Sequence, residues 1–334
     1  MPSSPVSDAP ALPTIADVRD AARRLEGIAR RTPILEFEAI NALAGARVLL
    51  KCEMFQQMGA FKIRGAYNRI ARLSDAERAR GVVAYSSGNH AQAVAITARD
   101  FRIPATIIMP SDAPPVKIAR TKGYGAEVVL YDRNGEDREA IAARLIEQTG
   151  AAVVPPYDHP DIIAGQGTIG LEIAEQCAEL GFAPDAVVVP CSGGGLVAGC
   201  AIALADAAPA TKVYSVEPSG FDDTARSLVS GRRERNAPGP SSICDALLVP
   251  TPGAITFEIN LRLLAGGVAV SDAETMEAMA VAYESARVVV EPGGATGLAA
   301  VLQRRLPAKA DTVCVVLSGG NADTDVFVRA ITRV

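Results

Sequence analysis

Seven short stretches of the chain consist almost wholly of Val, Ile, Leu and small apolar neighbours: 47–51 (RVLLK), 82–86 (VVAYS), 105–109 (ATIIM), 127–131 (EVVLY), 186–190 (AVVVP), 212–217 (KVYSVE) and 312–317 (TVCVVL). Runs of this length without polar alternation predict strands buried on both faces, as in parallel sheets sandwiched between helices. Helical patterning fills the gaps. Ile15, Val18, Ala22, Leu25 and Ile28 recur at helical spacing behind Thr14, a residue suited to cap the first turn. Ser74 with Glu77, and Ser271 with Glu274, have the spacing of capping boxes and mark two more helix starts. Ahead of Thr14, residues 1–13 (MPSSPVSDAPALP) are rich in Pro, Ser and Ala and are predicted to be disordered.

Strands alternating with helices predict an α/β fold of two open, mostly parallel twisted sheets covered by helices. Residues 54–155 form a self-sufficient run for a small domain, and 14–53 with 156–334 are left to build a larger one. The two domains then face each other across a cleft, and no internal repeat interrupts them.

Composition narrows the partners. With 334 residues, 49% of them hydrophobic, the chain has material for well-buried cores. Its formal net charge is −5, and its longest basic cluster, residues 230–236 (SGRRERN), has no interleaved aromatic side chain to stack on bases, so no nucleic-acid partner is expected. Six scattered cysteines (52, 177, 191, 200, 244 and 314) without a C-x-x-C pair, no signal peptide and no membrane-length apolar run point to a cytoplasmic protein with no membrane partner. The two histidines, His90 and His159, are too few for a zinc centre with these cysteines.

Ligands of such sheets sit at the carboxyl ends of the strands. Three turns there carry glycine with hydroxyl or amide groups: 87–92 (SGNHAQ), 191–199 (CSGGGLVAG) and 318–323 (SGGNAD). In the middle one, Ser192 to Gly195 offer consecutive backbone N–H groups to an anion at a helix start. Gly193, Gly195 and Ala198 also match G-x-G-x-x-A, with Glu217 about where a ribose-binding acid falls, so a NAD-dependent dehydrogenase competes with a plain phosphate cradle. Lys62 lies between Phe61 and Ile63. A lysine desolvated by such neighbours has a lowered pKa and can form a Schiff base with a carbonyl, and together with a phosphate cradle it points to pyridoxal 5′-phosphate.

The segments GAFKIRGA, SSGNHAQA, PPYDHPDIIAGQGT, SGGGLVAG, VEPSGFDD, EPGGATGLAA and LSGGNAD follow one another along the chain. In that order they resemble the fold-type II pyridoxal-phosphate enzymes, specifically the serine/threonine ammonia-lyase and serine racemase group. The resemblance implies a cofactor in the interdomain cleft, bound covalently by Lys62. Phe61, Asn89, the backbone of Ser192, Gly193, Gly194, Gly195 and Leu196, and Ser318 facing the pyridine nitrogen complete its site. It also implies that Ser86, Ser87, Asn89, His90 and Gln92 surround the substrate carboxylate, that Ser87 carries a proton on the face opposite Lys62, and that the protein is a homodimer. Glu217, Phe221 and Asp223 would then take Mg²⁺, Mn²⁺ or Ca²⁺, although capping of a helix near Thr224 by Asp222 or Asp223 is an equal reading.

Two departures stand out. Ser192 replaces the usual first glycine of the phosphate loop, and Cys244–Ala246 reads CDA where ADG is common. No amino-acid-binding regulatory domain is expected after Val334. A hydroxyl at the pyridine nitrogen makes the ring a moderate electron sink, which favours loss of a β-hydroxyl over a long-lived carbanion. The expected activity is therefore conversion of L-threonine or L-serine to the 2-oxo acid and ammonia. The alternatives are a 3-hydroxyaspartate ammonia-lyase, with His159 weighed as cation for the second carboxylate, a serine racemase, or a catalytically silent small-molecule-binding protein.

Overall fold

A computed structural model of the protein describes residues 11–132 and 135–333. Ten strands form two sheets: β1 (Ile34–Glu36), β2 (Arg47–Cys52), β3 (Val82–Tyr85), β4 (Ala105–Pro110), β5 (Glu127–Tyr131), β6 (Ala152–Val153), β7 (Ala186–Pro190), β8 (Lys212–Pro218), β9 (Gly266–Val270) and β10 (Thr312–Leu317). The larger sheet has the order β1-β2-β10-β7-β8-β9, parallel except for β1 at its edge. The smaller, β5-β4-β3-β6, is parallel throughout and lies within residues 82–153.

Each predicted run forms a strand, and the absence of alternation in these sequences follows from burial on both sides. In the large sheet Val188, Val216, Val313, Val315 and Leu317 pack on one face, while Val187, Val189, Val213, Cys314 and Val316 pack on the other. The three strands that patterning missed are short or begin on glycine, and owe their existence to neighbours already in place: β1, β6 and β9 all pair at a sheet edge.

Of the expected tail over 1–13, residues 1–10 fall outside the described residues. Leu12 packs against the cluster of Val18, Ile163 and Ile202, so the chain joins the core before Thr14. Asp17 accepts hydrogen bonds from the Thr14 amide and hydroxyl, both at 2.8 Å, and the helix runs Ile15–Leu25, ending before Gly27 at a φ of +73° rather than at Ile28. The capping boxes at Ser74 and Ser271 form as their spacing predicts.

The helix Ile63–Ala71, which begins immediately after Lys62, crosses the long helix Pro160–Glu179 at near-contact of backbones. A Cβ on Gly165 would lie 2.6 Å from the Arg64 carbonyl oxygen, so only glycine fits there. Beneath this crossing lies a buried ionic cluster. Arg64, 1% exposed, donates to both oxygens of Glu53 at 2.9 and 2.8 Å and to both oxygens of Glu172 at 2.6 and 3.0 Å. Lys51 donates to the Thr32 carbonyl at 2.8 Å and to Gln176 at 2.9 Å, and pairs with Glu172. Burial acts to raise the Glu53 carboxyl, but Arg64 outweighs it and holds the group below the usual carboxylate range.

Removing one member of such a cluster strands the others without water or partner. Arg64→Met is expected to destabilise the protein by about 3–5 kcal/mol in denaturant titration. Loss of the exposed Arg31–Glu179 pair should cost less than about 1 kcal/mol. Equal effects from the two would show that the cluster carries no special weight.

Candidate active site

Because β2, β10 and β7 are adjacent and parallel, the turns leaving their carboxyl ends emerge side by side. The turn after β2 is stitched to the one after β10: Ala60 bridges Gly319, the Phe61 amide donates to the Ser318 carbonyl at 3.1 Å, and the Gly320 amide donates to the Gly59 carbonyl at 2.9 Å. Lys62 is thereby fixed beside the Ser318 turn, at the N-terminus of its helix. Its ammonium donates to the Pro156 carbonyl at 2.7 Å and lies 5.1 Å from the centre of the Phe61 ring. Part of the residue still meets the cleft, yet the protein around it is dense enough that burial pulls the amine down to about 8, against the opposing pull of Glu291.

Glu291 is a member of this site that sequence reasoning did not single out, although it opens the quoted segment EPGGATGLAA. It lies at the start of the helix Pro292–Leu302 and accepts a 2.7 Å hydrogen bond from the Asn89 side chain, whose own oxygen accepts from Asn321 at 2.8 Å. Burial pushes Glu291 up to about 7, and the Asp245 charge adds to the rise. A Cβ on Gly319 would lie 2.1 Å from the Glu291 carboxylate, which explains the glycine at that position.

At the end of β3, Ser86 accepts from the Gly88 amide at 3.3 Å, and Gly88 holds the cap position of the helix Asn89–Phe101. The Ser87 hydroxyl has no protein partner among the described residues and does not cap this helix. His90 and Gln92 are each 3% exposed, with His90 Nε2 bonded to the Val154 carbonyl at 2.8 Å. Burial and the Lys62 charge depress the imidazole to about 3, so it is neutral. What this turn offers a carboxylate is the unpaired backbone N–H groups of a helix N-terminus and the hydroxyls of Ser86 and Ser87.

The glycine turn after β7 meets Tyr157, the residue after the one that Lys62 bonds. A Cβ on Gly193 would fall 2.3 Å from the Tyr157 ring, and Gly194, at a φ of +92°, is the cap of the helix Gly195–Ala207. The loop is a cup of backbone donors at a helix start, followed by Leu196, which is buried against the large sheet. The Ser192 Oγ and both polar side-chain atoms of Asn260 are buried here without partners. Orphaned polar atoms beside such a cup fit an anionic group such as a phosphate ester.

Three expectations are corrected. Glu217 is not free to bind a ribose, because it is buried and its carboxylate accepts from the Thr224 and Ala225 amides at 2.9 and 2.8 Å, capping the helix Asp223–Ser230. Capping of that helix by Asp222 or Asp223 is likewise not seen. His159 is no cation for a substrate: its Nδ1 accepts from the Asp161 amide at 3.1 Å, and burial with nearby Arg69 lowers its pKa. Asp223 keeps one buried oxygen without a partner, and burial raises it to about 6, while burial and the Asp223 charge push Glu217 well above its ordinary range. Two carboxyls held in this state fit a cation between them, with Phe221 in the loop that joins them, although no group of three or more His, Cys, Asp and Glu gathers anywhere among the described residues.

Among the described residues no helix is long and apolar enough to cross a membrane. Residues 25–319 match the family described as pyridoxal-phosphate dependent enzyme. The chain is 42% identical over 312 residues to the L-threo-3-hydroxyaspartate ammonia-lyase of Saccharomyces cerevisiae, covering 93% of this chain and 94% of that protein. It is 42% identical over 320 residues to the L-threonine ammonia-lyase of Thermotoga maritima, covering 96% and 78%. The solved structure of maize serine racemase superposes with a TM-score of 0.90 at 37% identity, covering 97% of this chain and 98% of that one. Similarity that takes in both sheets and the cleft between them makes the chain a member of the family of pyridoxal-phosphate-dependent enzymes.

Proposed function

We propose that the protein is an ammonia-lyase that converts a β-hydroxy-α-amino acid, L-threonine or L-serine, to the 2-oxo acid and ammonia. The observation that carries this reading is the pairing of Lys62, its amine lowered to about 8, with a glycine loop at a helix start, while the residue that ends β10 beside Lys62 is Ser318.

Bound pyridoxal phosphate supplies an aldehyde for the substrate amine and a ring that takes up the charge left when Cα loses its proton. Ser192 to Leu196 would hold its phosphate, Asn89 its phenolic oxygen, Phe61 and Ser318 its ring, and Lys62 its aldehyde carbon. Lys62 is also the base for the Cα proton, since a pKa near 8 leaves an appreciable share of free amine at neutral pH. The N-terminal turn of the helix Asn89–Phe101 and the Ser86 hydroxyl take the α-carboxylate. Ser87, Asn89, His90 and Gln92 belong to the same turn and complete the surroundings proposed for that carboxylate, with the His90 Nε2 engaged by the Val154 carbonyl. The β-hydroxyl leaves with a proton as water, and the released enamine hydrolyses to the 2-oxo acid and ammonia.

A second reading, a lyase for L-threo-3-hydroxyaspartate, is supported by the name of the Saccharomyces cerevisiae relative. It is also supported by Arg138, whose guanidinium stacks 5.3 Å from the centre of the Tyr85 ring at the end of β3. Comparing kcat/KM for the three amino acids separates the two readings.

Lys62→Ala should lower ammonia release from L-threonine by about a thousandfold or more while leaving the melting curve near that of the wild type. In the cofactor-free chain, Lys62 should react with an amine-selective acylating reagent with a midpoint near pH 8, whereas exposed lysines need a pH near about 10.4. The sign follows from its lowered pKa: the reactive free amine is lost as the pH falls through 8. A midpoint shared with the other lysines would contradict the desolvated site.

Ser87 is proposed as the second proton carrier, on the face opposite Lys62. Ser87→Ala should therefore spare pyruvate formation from L-serine more than it spares D-serine formation. Equal loss of both would reduce Ser87 to a binding residue, and a wild type that makes more D-serine than pyruvate would make the protein a racemase.

Glu217, Phe221 and Asp223 are proposed to hold Mg²⁺, Mn²⁺ or Ca²⁺. Exhaustive chelation should lower the melting temperature by about 2–6 °C, and one of these ions should restore it. No change on removal and return of the ions would leave the two buried carboxyls without a metal role.

A further inference from the structure

The helix Ala254–Leu263 is pinned against the phosphate cup at two points. Asp158 accepts from the amides of Ala254, Ile255 and Thr256 at 2.8, 2.9 and 3.1 Å, and the Thr256 hydroxyl donates to the Gly193 carbonyl at 2.6 Å. Asn260 lies four residues further on, so it shares the face that Thr256 turns to the glycine loop. Its position agrees: the Asn260 Nδ2 lies 2.7 Å from where a Cβ on Gly194 would stand.

Asn260 is 0% exposed, and neither its Nδ2 nor its Oδ1 has a hydrogen-bond partner. Its neighbours on the helix bury apolar surface, with Ile259 packed against Ala198 and Ile202. A side-chain amide in such a place is costly unless something satisfies it. The Ser192 Oγ, on the same loop, is in the same condition.

We propose that Asn260, together with the Ser192 hydroxyl, is an additional binding residue for the phosphate group of the cofactor. The amide adds side-chain donors to a cup otherwise made of backbone N–H groups, and the loop admits them because Gly194 leaves no side chain in the way. Sequence patterning gave no sign of this, since Asn260 reads as one polar residue in an ordinary helix. The inference rests on the glycine loop being the phosphate cup and not on which reaction the enzyme catalyses.

The test is binding to the cofactor-free protein, followed by absorbance and calorimetry, with pyridoxal phosphate, pyridoxal and inorganic phosphate as separate probes. Asn260→Leu should weaken pyridoxal phosphate and inorganic phosphate by about ten- to a hundredfold, the size expected of hydrogen bonds to a charged group. Pyridoxal should bind as to the wild type. The cofactor-free variant should melt at or above the wild-type temperature, because two unsatisfied buried atoms have been replaced by a methyl-bearing side chain. Asn260→Ala should show the same ordering of probes without added bulk, and Ser192→Gly a smaller loss. Wild-type affinity for pyridoxal phosphate in both Asn260 variants, or an equal loss for pyridoxal, overturns the proposal, as does failure of both variants to fold. A wild type that binds neither inorganic phosphate nor the cofactor phosphate at this loop would instead remove the cup assignment beneath it.

Discussion

The placement of Lys62 depends on Arg64, a charge with no access to water. Its guanidinium binds Glu53 through two nitrogens and Glu172 through two, while Lys51 pairs with Glu172 from the other side. Two cations and two anions cancel, and the main-chain and side-chain acceptors around them absorb the remaining donors. The cluster ties β2, the start of the helix after Lys62 and the long helix Pro160–Glu179 into one piece. Net gain in stability from buried ions is small, since desolvation offsets most of the attraction. Geometry is what such a cluster supplies: any shift of the Lys62 helix would pull a planar, doubly bidentate group off its partners.

The cleft is the electrostatic opposite of that cluster. There Lys62 and Glu291 are desolvated without full compensation, as are Glu217 and Asp223 at the end of β8, and each is moved toward its neutral form. Among the described residues, the buried side-chain atoms without partners include the Ser192 Oγ and both polar atoms of Asn260 at the glycine loop and one Asp223 oxygen beyond β8, and also His90 Nδ1, Arg69 Nε, Gln166 Oε1 and Ser215 Oγ elsewhere. In a stable fold most buried polar groups are satisfied, so the exceptions at the glycine loop single it out as a candidate ligand site. By contrast the six cysteines are buried and unpaired, and lie within the cores.

Much of the architecture was legible in the chain itself. Strands covered on both faces cannot alternate, so β2, β3, β4, β5, β7, β8 and β10 showed as unbroken apolar runs, and the turns at their carboxyl ends carried the glycines that a site needs. The edge strands β1, β6 and β9 were not legible, because a strand of two to five residues at a sheet margin is specified by its neighbour. Local patterning also misassigned a role that depends on direction. Glu217 has the spacing of a ribose-binding acid, yet it points at the amides of Thr224 and Ala225.

The sequence by itself determined the fold class and singled out Lys62 and the glycine turn after β7 as site candidates, since these rest on short-range facts: apolar runs, a lysine between apolar residues, consecutive small residues at a strand end. Tertiary structure alone decided which distant groups surround them. Glu291 reaches Asn89 across 202 residues, Pro156 takes the Lys62 ammonium across 94, and Asn260 comes to the glycine loop from a separate helix. No local pattern encodes such meetings. They follow from the parallel order of β2, β10 and β7, which brings their carboxyl ends side by side, and from the packing of the smaller sheet against them, which brings in the segments after β3 and β6.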